Sequence, residues 1–428
     1  MDNIQAIKEK VLLAIDRNAQ RIIEIGERIA AHPELGYKET ATAELVKSEL
    51  DRLGIPYRDG LALTGVKGRM KGKESRATVA VIGELDAVTC SSHPSADKAS
   101  GAAHACGHNA QVAAMLGCAM ALSEVREELC GDVCFFAVPA EEYVEIGYRE
   151  GLCKDGKIEF LGGKQELIRI GEFDDIDMAM MVHAQGNTPG NAVFIDGGSL
   201  GFVAKTVEFI GKAAHAGGAP HEGINALNAA MAAMMCIHAQ RETFRDEDKI
   251  RVHPIITSGG ELVNIVPASV SMETYVRGAS SAAIKDAAEK VDRAIQGSAY
   301  AIGASANIKN LKGYLPLLQN KELGELFCKN AEQIVDKEHI YHGIDMVGSS
   351  DMGDLSHIMP VIQPTMGGFV GAAHSTEFAI SDKEYAYLNP AKLMAMTVID
   401  LLCNGAQNAL DIKNNFKAPM TKQEYVEY

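Results

Sequence analysis

The chain has 428 residues, of which 47% are hydrophobic, and a formal net charge of −16 at pH 7. Its length predicts two or three domains, because a single hydrophobic core stops growing near roughly 250–300 residues. An acidic chain without a basic block binds nucleic acid or an anionic membrane poorly, so we expect neither as a partner. The chain starts without a signal pattern, has no apolar run of the ~20 residues that span a membrane, and carries nine cysteines without framework spacing. We therefore expect a cytoplasmic protein with reduced thiols.

The first part of the sequence has the pattern of an α/β domain. Apolar positions at helical spacing run through residues 4–31, and a second helix is predicted from Glu39 to Leu53. Three short runs, at residues 77–83, 132–138 and 177–182, are apolar on both faces. This is typical of strands buried in a mostly parallel sheet.

Each of these predicted strands is followed by polar residues: Asp86 after the first, Glu141 and Glu142 after the second, and His183 after the third. In open α/β sheets, functional groups collect at the carboxyl ends of the strands. A single acid or histidine in such a place is more often a cap or a solvated residue. Three such ends in one sheet indicate a functional edge.

The stretch His104-Ala105-Cys106-Gly107-His108 lies between the first two predicted strands and precedes an apolar helix predicted over 110–122. Free cysteines are usually small core residues, so Cys-x-His alone is a weak signal. A thiolate and an imidazole two residues apart can nevertheless bind one ion. Together with the polar strand ends, this motif favours a metal site.

From about residue 202 the pattern changes. The predicted order is a strand at 202–210, a helix at 224–241, strands at 250–257 and 269–277, a helix through 284–299 and a strand at 306–311. This β-α-β-β-α-β order is typical of a ferredoxin-like domain. We expect residues 1–200 and 313–428 to form one catalytic domain, with residues 201–312 inserted. In the second part, a strand at 361–363 precedes a glycine-rich loop that carries His374.

A candidate ligand set follows: Cys106, His108, Glu142, His183 and His374. Five ligands are too many for one tetrahedral catalytic ion, but they suit two ions that share a bridging ligand. Such a pair activates a water and polarises a carbonyl group. Glu141 is the candidate general base, and Asp86 is a candidate for orienting a ligand. The mixture of thiolate, imidazole and carboxylate predicts zinc, with manganese, cobalt and nickel as alternatives.

These motifs, in this order, resemble the aminoacylase and carboxypeptidase (peptidase-M-twenty) family of dinuclear metallo-amidohydrolases, in the branch whose bridging ligand is a cysteine. The likeness covers nearly the whole chain and includes His32-Pro33-Glu34-Leu35, His104–His108, Pro139–Glu142, His183 and Ala373-His374-Ser375. It implies a zinc-exopeptidase-like fold, in which helices sandwich a mixed, mostly parallel sheet and the inserted ferredoxin-like domain acts as a lid and forms a homodimer. It also implies that Cys106 bridges two metals, that the other four ligands complete the shells, and that Glu141 is the base.

The resemblance adds three substrate contacts in the inserted domain. His215, in Gly211–Ala216, looks like the histidine that reaches the substrate carbonyl, often from the partner subunit. Asn264 and Arg277 look like the residues that bind the substrate carboxylate. The residues alone would suggest only a loop histidine, a turn asparagine and a surface arginine.

Two motifs depart from much of this branch. Asn109-Ala110-Gln111 stands where many relatives have Asp-Gly-His, and Gly83–Ala87 (Gly-Glu-Leu-Asp-Ala) stands where many have Arg-x-Asp-x-Asp-Ala. Both are closer to the aminobenzoyl-glutamate hydrolase and dipeptidase-like members. The departures concern the choice of substrate rather than the metal ligands.

The sequence therefore predicts a metal-dependent amidohydrolase or peptidase that cleaves N-acyl amino acids or dipeptides with a free carboxylate. One alternative is a metal-binding regulator that keeps the fold and lacks catalysis, although no ligand or base is missing. Another is an amidase with Cys106 as nucleophile and His108 as its base, which would leave the acidic pair and the distant histidines without a role.

Overall fold

The computed structural model describes residues 2–346 and 348–427. The chain divides into two compact units. Unit 1 contains Met1–Gly198, Leu318–Asp345 and Asp354–Tyr428, and unit 2 contains Ser199–Leu317 and Met346–Gly353. The segment predicted as an insertion, residues 201–312, lies in unit 2, which also takes up the short second segment at 346–353.

The α-helices of the described residues are α1 (Asp2–Arg17), α2 (Ala19–Ala30), α3 (Thr40–Leu53), α4 (His108–Ser123), α5 (Ile146–Lys154), α6 (Gly163–Arg169), α7 (Ala226–Ala239), α8 (Ser281–Ile302), α9 (Lys321–Ala331), α10 (Met352–Ser356), α11 (Asn389–Leu402), α12 (Gln407–Asn415) and α13 (Lys422–Glu427). A π-helical turn, Glu384–Leu388, leads directly into α11.

The strands are β1 (Tyr57–Leu61), β2 (Gly65–Met70), β3 (Thr78–Glu84), β4 (Val88–Thr89), β5 (Ala102–Ala103), β6 (Asp132–Val138), β7 (Met178–Met180), β8 (His183–Gly186), β9 (Val193–Ile195), β10 (Gly201–Ile210), β11 (Arg251–Val252), β12 (Ile255–Ser258), β13 (Ser269–Gly278), β14 (Ser305–Leu311), β15 (Ile340–His342), β16 (Val361–Ile362), β17 (Thr365–Val370) and β18 (Ala379–Ile380).

The larger sheet of unit 1 confirms the predicted mixed, mostly parallel arrangement. Its strand order is β1-β2-β6-β3-β7-β16. The strands β6, β3, β7 and β16 run parallel to one another, and β2 pairs antiparallel with both β6 and β1. Every residue of β3 and β6 is buried, as expected for strands covered on both faces. Because Glu84 pairs with Val138 and Val81 with Met180, these three strands end at the same edge of the sheet.

Helix α4 is the central helix of unit 1. It packs on β3 and is surrounded by α1, α2, α3 and α11, and its residues 108–122 are all buried. This agrees with a sequence that is apolar nearly all round the helix. A second sheet of unit 1, with order β15-β9-β17-β18, also includes β8, which pairs with β17. His183, the first residue of β8, pairs with Thr365.

Unit 2 consists of one antiparallel sheet covered by α7 and α8. The strand order is β11-β13-β10-β14, and β12 also pairs with β13. The two helices contact each other and the sheet, and their apolar side chains form a core separate from that of unit 1. The order of strands and helices along the chain is that of a ferredoxin-like fold.

Two predicted elements are interrupted. The helix predicted through residues 4–31 is divided at Asn18, whose side-chain amide donates to the carbonyl of Ala14 at 2.8 Å. The strand predicted at 250–257 is divided into β11 and β12 around Pro254, since proline has no N–H for the ladder. Gly367 and Gly368, which precede the loop of His374, lie inside β17.

Among residues 2–346 and 348–427, the longest helices are too short or too polar to pass through a bilayer.

Candidate metal centre

The turn that carries Cys106 and His108 depends on the glycine between them. Gly107 has φ +85°, in the left-handed region that favours glycine, and a Cβ atom there would lie 2.4 Å from the Cβ of Ala184. His108 is the first residue of α4. The turn therefore places the thiol and the imidazole together at the start of a buried helix, beside β8.

Backbone contacts determine which ring nitrogens of the two histidines are available. His108 Nδ1 lies 2.9 Å from the carbonyl oxygen of Asp86, and His183 Nδ1 lies 2.8 Å from that of Ala184. A carbonyl only accepts, so both Nδ1 atoms carry a hydrogen and donate it. In the neutral rings the Nε2 lone pair is then free to bind a metal. His183 Nε2 is 3.6 Å from the Sγ atom of Cys106.

The loop that carries Glu141 and Glu142 is held from three sides. Ala140 has φ +53°, an uncommon value outside glycine, and its N–H donates to Glu39 at 2.8 Å. The buried guanidinium of Arg149 donates to the backbone carbonyl of Glu142. The N–H of Glu142 donates to a carboxylate oxygen of Asp86 at 2.8 Å. These contacts fix the direction of both acidic side chains.

His374 reaches the cluster from the loop after β17. Its φ of +64° is unusual for a non-glycine residue, and its N–H donates to the carbonyl of Ala105 at 2.8 Å. Its Nε2 atom lies 3.1 Å from Oε1 of Glu142. The side chain is 49% exposed, so this side of the cluster is open to solvent.

The structure brings all five predicted ligands together in unit 1. The ligands form two groups: Cys106 with His108 and His183, and Cys106 with Glu142 and His374. Within each group, the ligand atoms of the three residues lie within 4.8 Å of one another. Cys106 belongs to both, which is the position expected of a bridging ligand. A third group with the same spacing contains Glu84, His108 and Glu141.

The separations fit ligands of divalent ions. Two ligand atoms on one tetrahedral zinc lie roughly 3.6 Å apart for sulfur and nitrogen and roughly 3.4 Å apart for nitrogen and oxygen. The distances of 3.6 Å for Cys106–His183 and 3.1 Å for Glu142–His374 are close to these values. Within the described part of the chain, the buried atoms His108 Nε2 and Glu84 Oε2 make no hydrogen bond. Buried polar atoms of this kind need a partner, and a cation supplies one.

The cluster favours the ionised form of its thiol. Burial opposes ionisation, but the neighbouring His183 and His108 outweigh it and lower the pKa of Cys106 well below its ordinary value. Hydrogen bonding with Cys106 and Glu142 raises the pKa of His374 to about 11. Burial and the adjacent thiolate raise the pKa of Glu142. Without metal, the cluster therefore holds protons that a bound cation would displace.

Four residues that the sequence did not assign surround these ligands. Glu84 and Lys164 form a fully buried ion pair, with 2.5 Å between Oε1 and Nζ. Glu39 and Arg149 hold the Glu141 loop. Glu84 was detectable in principle, because it is the last residue of β3 and lies two residues before Asp86. The other three lie in or at the start of α3, α5 and α6 and carry no recognisable motif.

The predicted substrate contacts His215, Asn264 and Arg277 all lie in unit 2. His215 and Asn264 are exposed neighbours, since Ile265 pairs with His215 and the N–H of Ala216 donates to the Asn264 carbonyl at 2.9 Å. Arg277 lies at the other end of β13, where its guanidinium donates to Ser349 at 2.7 Å.

Comparison with known proteins agrees with this architecture. The profile of Peptidase family M20/M25/M40 matches residues 80–399, most of the chain. The chain belongs to this family. Membership in the M20 family makes the protein a hydrolase of peptide or amide bonds, as predicted, and divalent metals are its expected cofactors.

Two sequence relatives and one solved structure illustrate the range of proteins that this chain is similar to. The chain is 27% identical over 454 residues to the Xaa-Arg dipeptidase of Mus musculus, covering 98% of this chain and 94% of that protein. It is 26% identical to an N-acyl-L-amino acid amidohydrolase of Geobacillus stearothermophilus, covering 74% and 82% of the two chains. A dinuclear metal-binding M20 peptidase from Bacillus subtilis has the same fold, with a TM-score of 0.70, 22% identity and coverage of 90% and 99%.

Proposed function

We propose that this M20 protein hydrolyses the amide bond of N-acyl amino acids or dipeptides that carry a free carboxylate, with two divalent ions and Glu141 as general base. The observation that supports this most strongly is the sharing of Cys106 by two ligand groups, with the Glu141 carboxylate beside them. Glu141 Oε2 lies 3.8 Å from His108 Nε2, so it is close to the ligands. The names of the two sequence relatives suggest the substrate class.

The ligands divide between two ions. Cys106, His108 and His183 would hold one, and Cys106, Glu142 and His374 the other. The ions, when bound, supply Lewis acidity toward a water molecule and the scissile carbonyl. Thiolate and imidazole ligands favour zinc, so we propose zinc as the native metal, with manganese, cobalt and nickel as substitutes to test.

Glu141 moves the proton. Its carboxylate takes a proton from the attacking water and later delivers it to the leaving nitrogen, so that the amide becomes a carboxylate and an amine. Three other residues hydrogen-bond to the backbone of residues 140–142 and so fix the direction of the Glu141 side chain: Asp86, Glu39 and Arg149.

The distance between the proposed substrate contacts supports a dimer. Arg277 pairs with Phe202, while Ser269, eight residues earlier on β13, pairs with Ile210 near the loop of His215. Eight strand residues span roughly 26 Å, more than the length of a dipeptide. On this spacing, His215 and Arg277 of one subunit are too far apart to share one small substrate. We propose a homodimer in which His215 and Asn264 serve the partner's site and Arg277 binds the substrate carboxylate.

A metal-reconstituted hydrolysis screen tests the function. The protein is stripped with a chelator, loaded with zinc, manganese, cobalt or nickel, and assayed for released amine with N-acetyl amino acids, aminobenzoyl-glutamate, Xaa-Arg dipeptides and β-alanyl dipeptides. We expect turnover only after metal is restored, and Glu141→Gln should retain metal while losing about 10²–10⁴ of kcat. Full activity of the stripped protein, or wild-type turnover by Glu141→Ala, would overturn the proposal. Metal binding without turnover on the whole panel would favour the non-catalytic alternative.

A further inference from the structure

Glu84 lies at the carboxyl end of β3 and is not one of the five predicted ligands. The carboxylate is fully buried, and its two oxygens have different surroundings. Oε1 accepts from the ammonium of Lys164 at 2.5 Å, and Lys164 is fully buried as well. Oε2 lies 3.1 Å from Nε2 of His108 and points toward the ligand cluster.

The approach of these two atoms lacks hydrogen-bond geometry. His108 donates its Nδ1 hydrogen to the carbonyl of Asp86, so Nε2 carries a lone pair when the ring is neutral, which is the form that binds a metal. Neither Nε2 nor Glu84 Oε2 makes a hydrogen bond anywhere in the described residues. Two buried acceptors that face each other at this distance repel unless a positive charge lies between them, which is a proton on Nε2 in the metal-free protein and a bound cation in the loaded one.

The separation suits a shared cation. A nitrogen and an oxygen bound to one zinc ion lie roughly 3.4 Å apart at a tetrahedral angle, close to the observed 3.1 Å. We propose that Glu84 is a metal ligand on the ion held by Cys106, His108 and His183, which would then have four protein ligands. This inference rests on the proposed metal-dependent function and extends its ligand set.

Lys164 would be the partner that orients this ligand. A buried carboxylate needs compensation when no ion is present, and the ammonium supplies it on the oxygen that faces away from His108. Ligating carboxylates commonly accept a hydrogen bond from an outer residue, which fixes their direction. Lys164 thus keeps Oε2 pointing at the metal position in both the metal-free and the loaded protein.

The test is a paired replacement, Glu84→Leu with Lys164→Met, because changing either residue alone leaves a buried unpaired charge. Zinc content and dissociation constants are measured by competition with a chelating dye, and the cobalt-loaded protein is examined by visible absorption. We expect one of two zinc ions to bind at least about tenfold more weakly while the other is unchanged. The cobalt d–d bands should change in intensity, and the thiolate-to-cobalt charge-transfer band should persist because Cys106 remains.

The matched control is Lys8→Met with Asp400→Leu, which removes another largely buried ion pair of unit 1. It should lower thermal stability without changing zinc affinity. If the Glu84/Lys164 variant binds both ions as tightly as wild type and keeps the same cobalt spectrum, the pair is structural only and the ligand assignment is wrong. Wild type that binds two ions but hydrolyses no substrate would overturn the proposed function while leaving this assignment intact.

Discussion

Asp86 accepts a hydrogen bond from the backbone N–H of Glu142 at 2.8 Å, and so joins two strand ends that are 56 residues apart in sequence. Its other oxygen lies 3.3 Å from Nδ1 of His108, whose hydrogen goes to the Asp86 carbonyl. One fully buried residue thus contacts a ligand of each proposed ion.

The first prediction concerns this residue. Asp86→Asn keeps an oxygen for the Glu142 N–H but turns an amide donor toward the N–H of His108. We expect about 10–100-fold weaker zinc binding, the effect typical of losing an outer partner of a ligand. Chelator competition measures it. Asp97→Asn, the same change in an exposed turn, is the control and should have no effect. Equal affinities for both variants would show that Asp86 does not orient the ligands.

The sequence predicted the residues at the edge of the sheet better than the residues that contact them from other elements. Runs apolar on both faces marked β3, β6 and β7, and parallel pairing then brought Asp86, Glu142 and His183 to one edge, as expected. Lys164 reaches Glu84 from 80 residues further along the chain, within a short helix whose next residues are Gln165 and Glu166. In sequence that segment has the composition of a solvated surface. Its burial is a consequence of tertiary packing, which no local pattern encodes.

The second prediction uses the reactivity of thiols. The pKa of Cys106 is lowered by His183 and His108 against the effect of burial, whereas burial raises the pKa of Cys134 to about 12. In metal-free protein at neutral pH, iodoacetamide should therefore modify Cys106 and leave Cys134 intact. Zinc should protect Cys106, and exposed Cys236 should react in both samples as an internal standard. Peptide mass spectrometry measures the extents. Equal labelling of Cys106 with and without zinc would argue against its role as a ligand.

The third prediction is a pH dependence of stability. Burial and the charge of Asp86 raise the pKa of Glu39 from 4.5 to about 7. The folded protein therefore holds this proton more tightly than the unfolded chain, and stability is lost as pH rises from about 4.5 to 7. Glu39→Gln resembles the protonated form. Its free energy of unfolding relative to wild type should rise by up to about 3 kcal/mol across this range.

Urea unfolding of the metal-free proteins between pH 4.5 and 8 measures this difference. Thr64→Val removes a donor to Glu39 but keeps the carboxyl, so its stability should still fall as pH rises. A difference between Glu39→Gln and wild type that stays constant with pH would contradict the raised pKa.

The last prediction concerns the proposed dimer. Arg277 lies near one end of β13, and His215 lies in a loop beyond the other end, so in the proposed dimer a substrate bound by Arg277 receives His215 from the other subunit. Glu141→Gln and His215→Ala should each be inactive as pure proteins. When they are mixed, dissociated and reassociated, half of the dimers are mixed, and each mixed dimer has one site with both wild-type residues. The mixture should then recover about a quarter of wild-type activity in a symmetric dimer.

If His215 acts within its own subunit, no site contains both residues and the mixture stays inactive. A mixture of Glu141→Gln with Glu141→Ala, which cannot complement in either arrangement, is the control. Light scattering on the same samples shows whether dimers have formed, so that inactivity in a dimeric mixture counts against exchange of His215 between subunits.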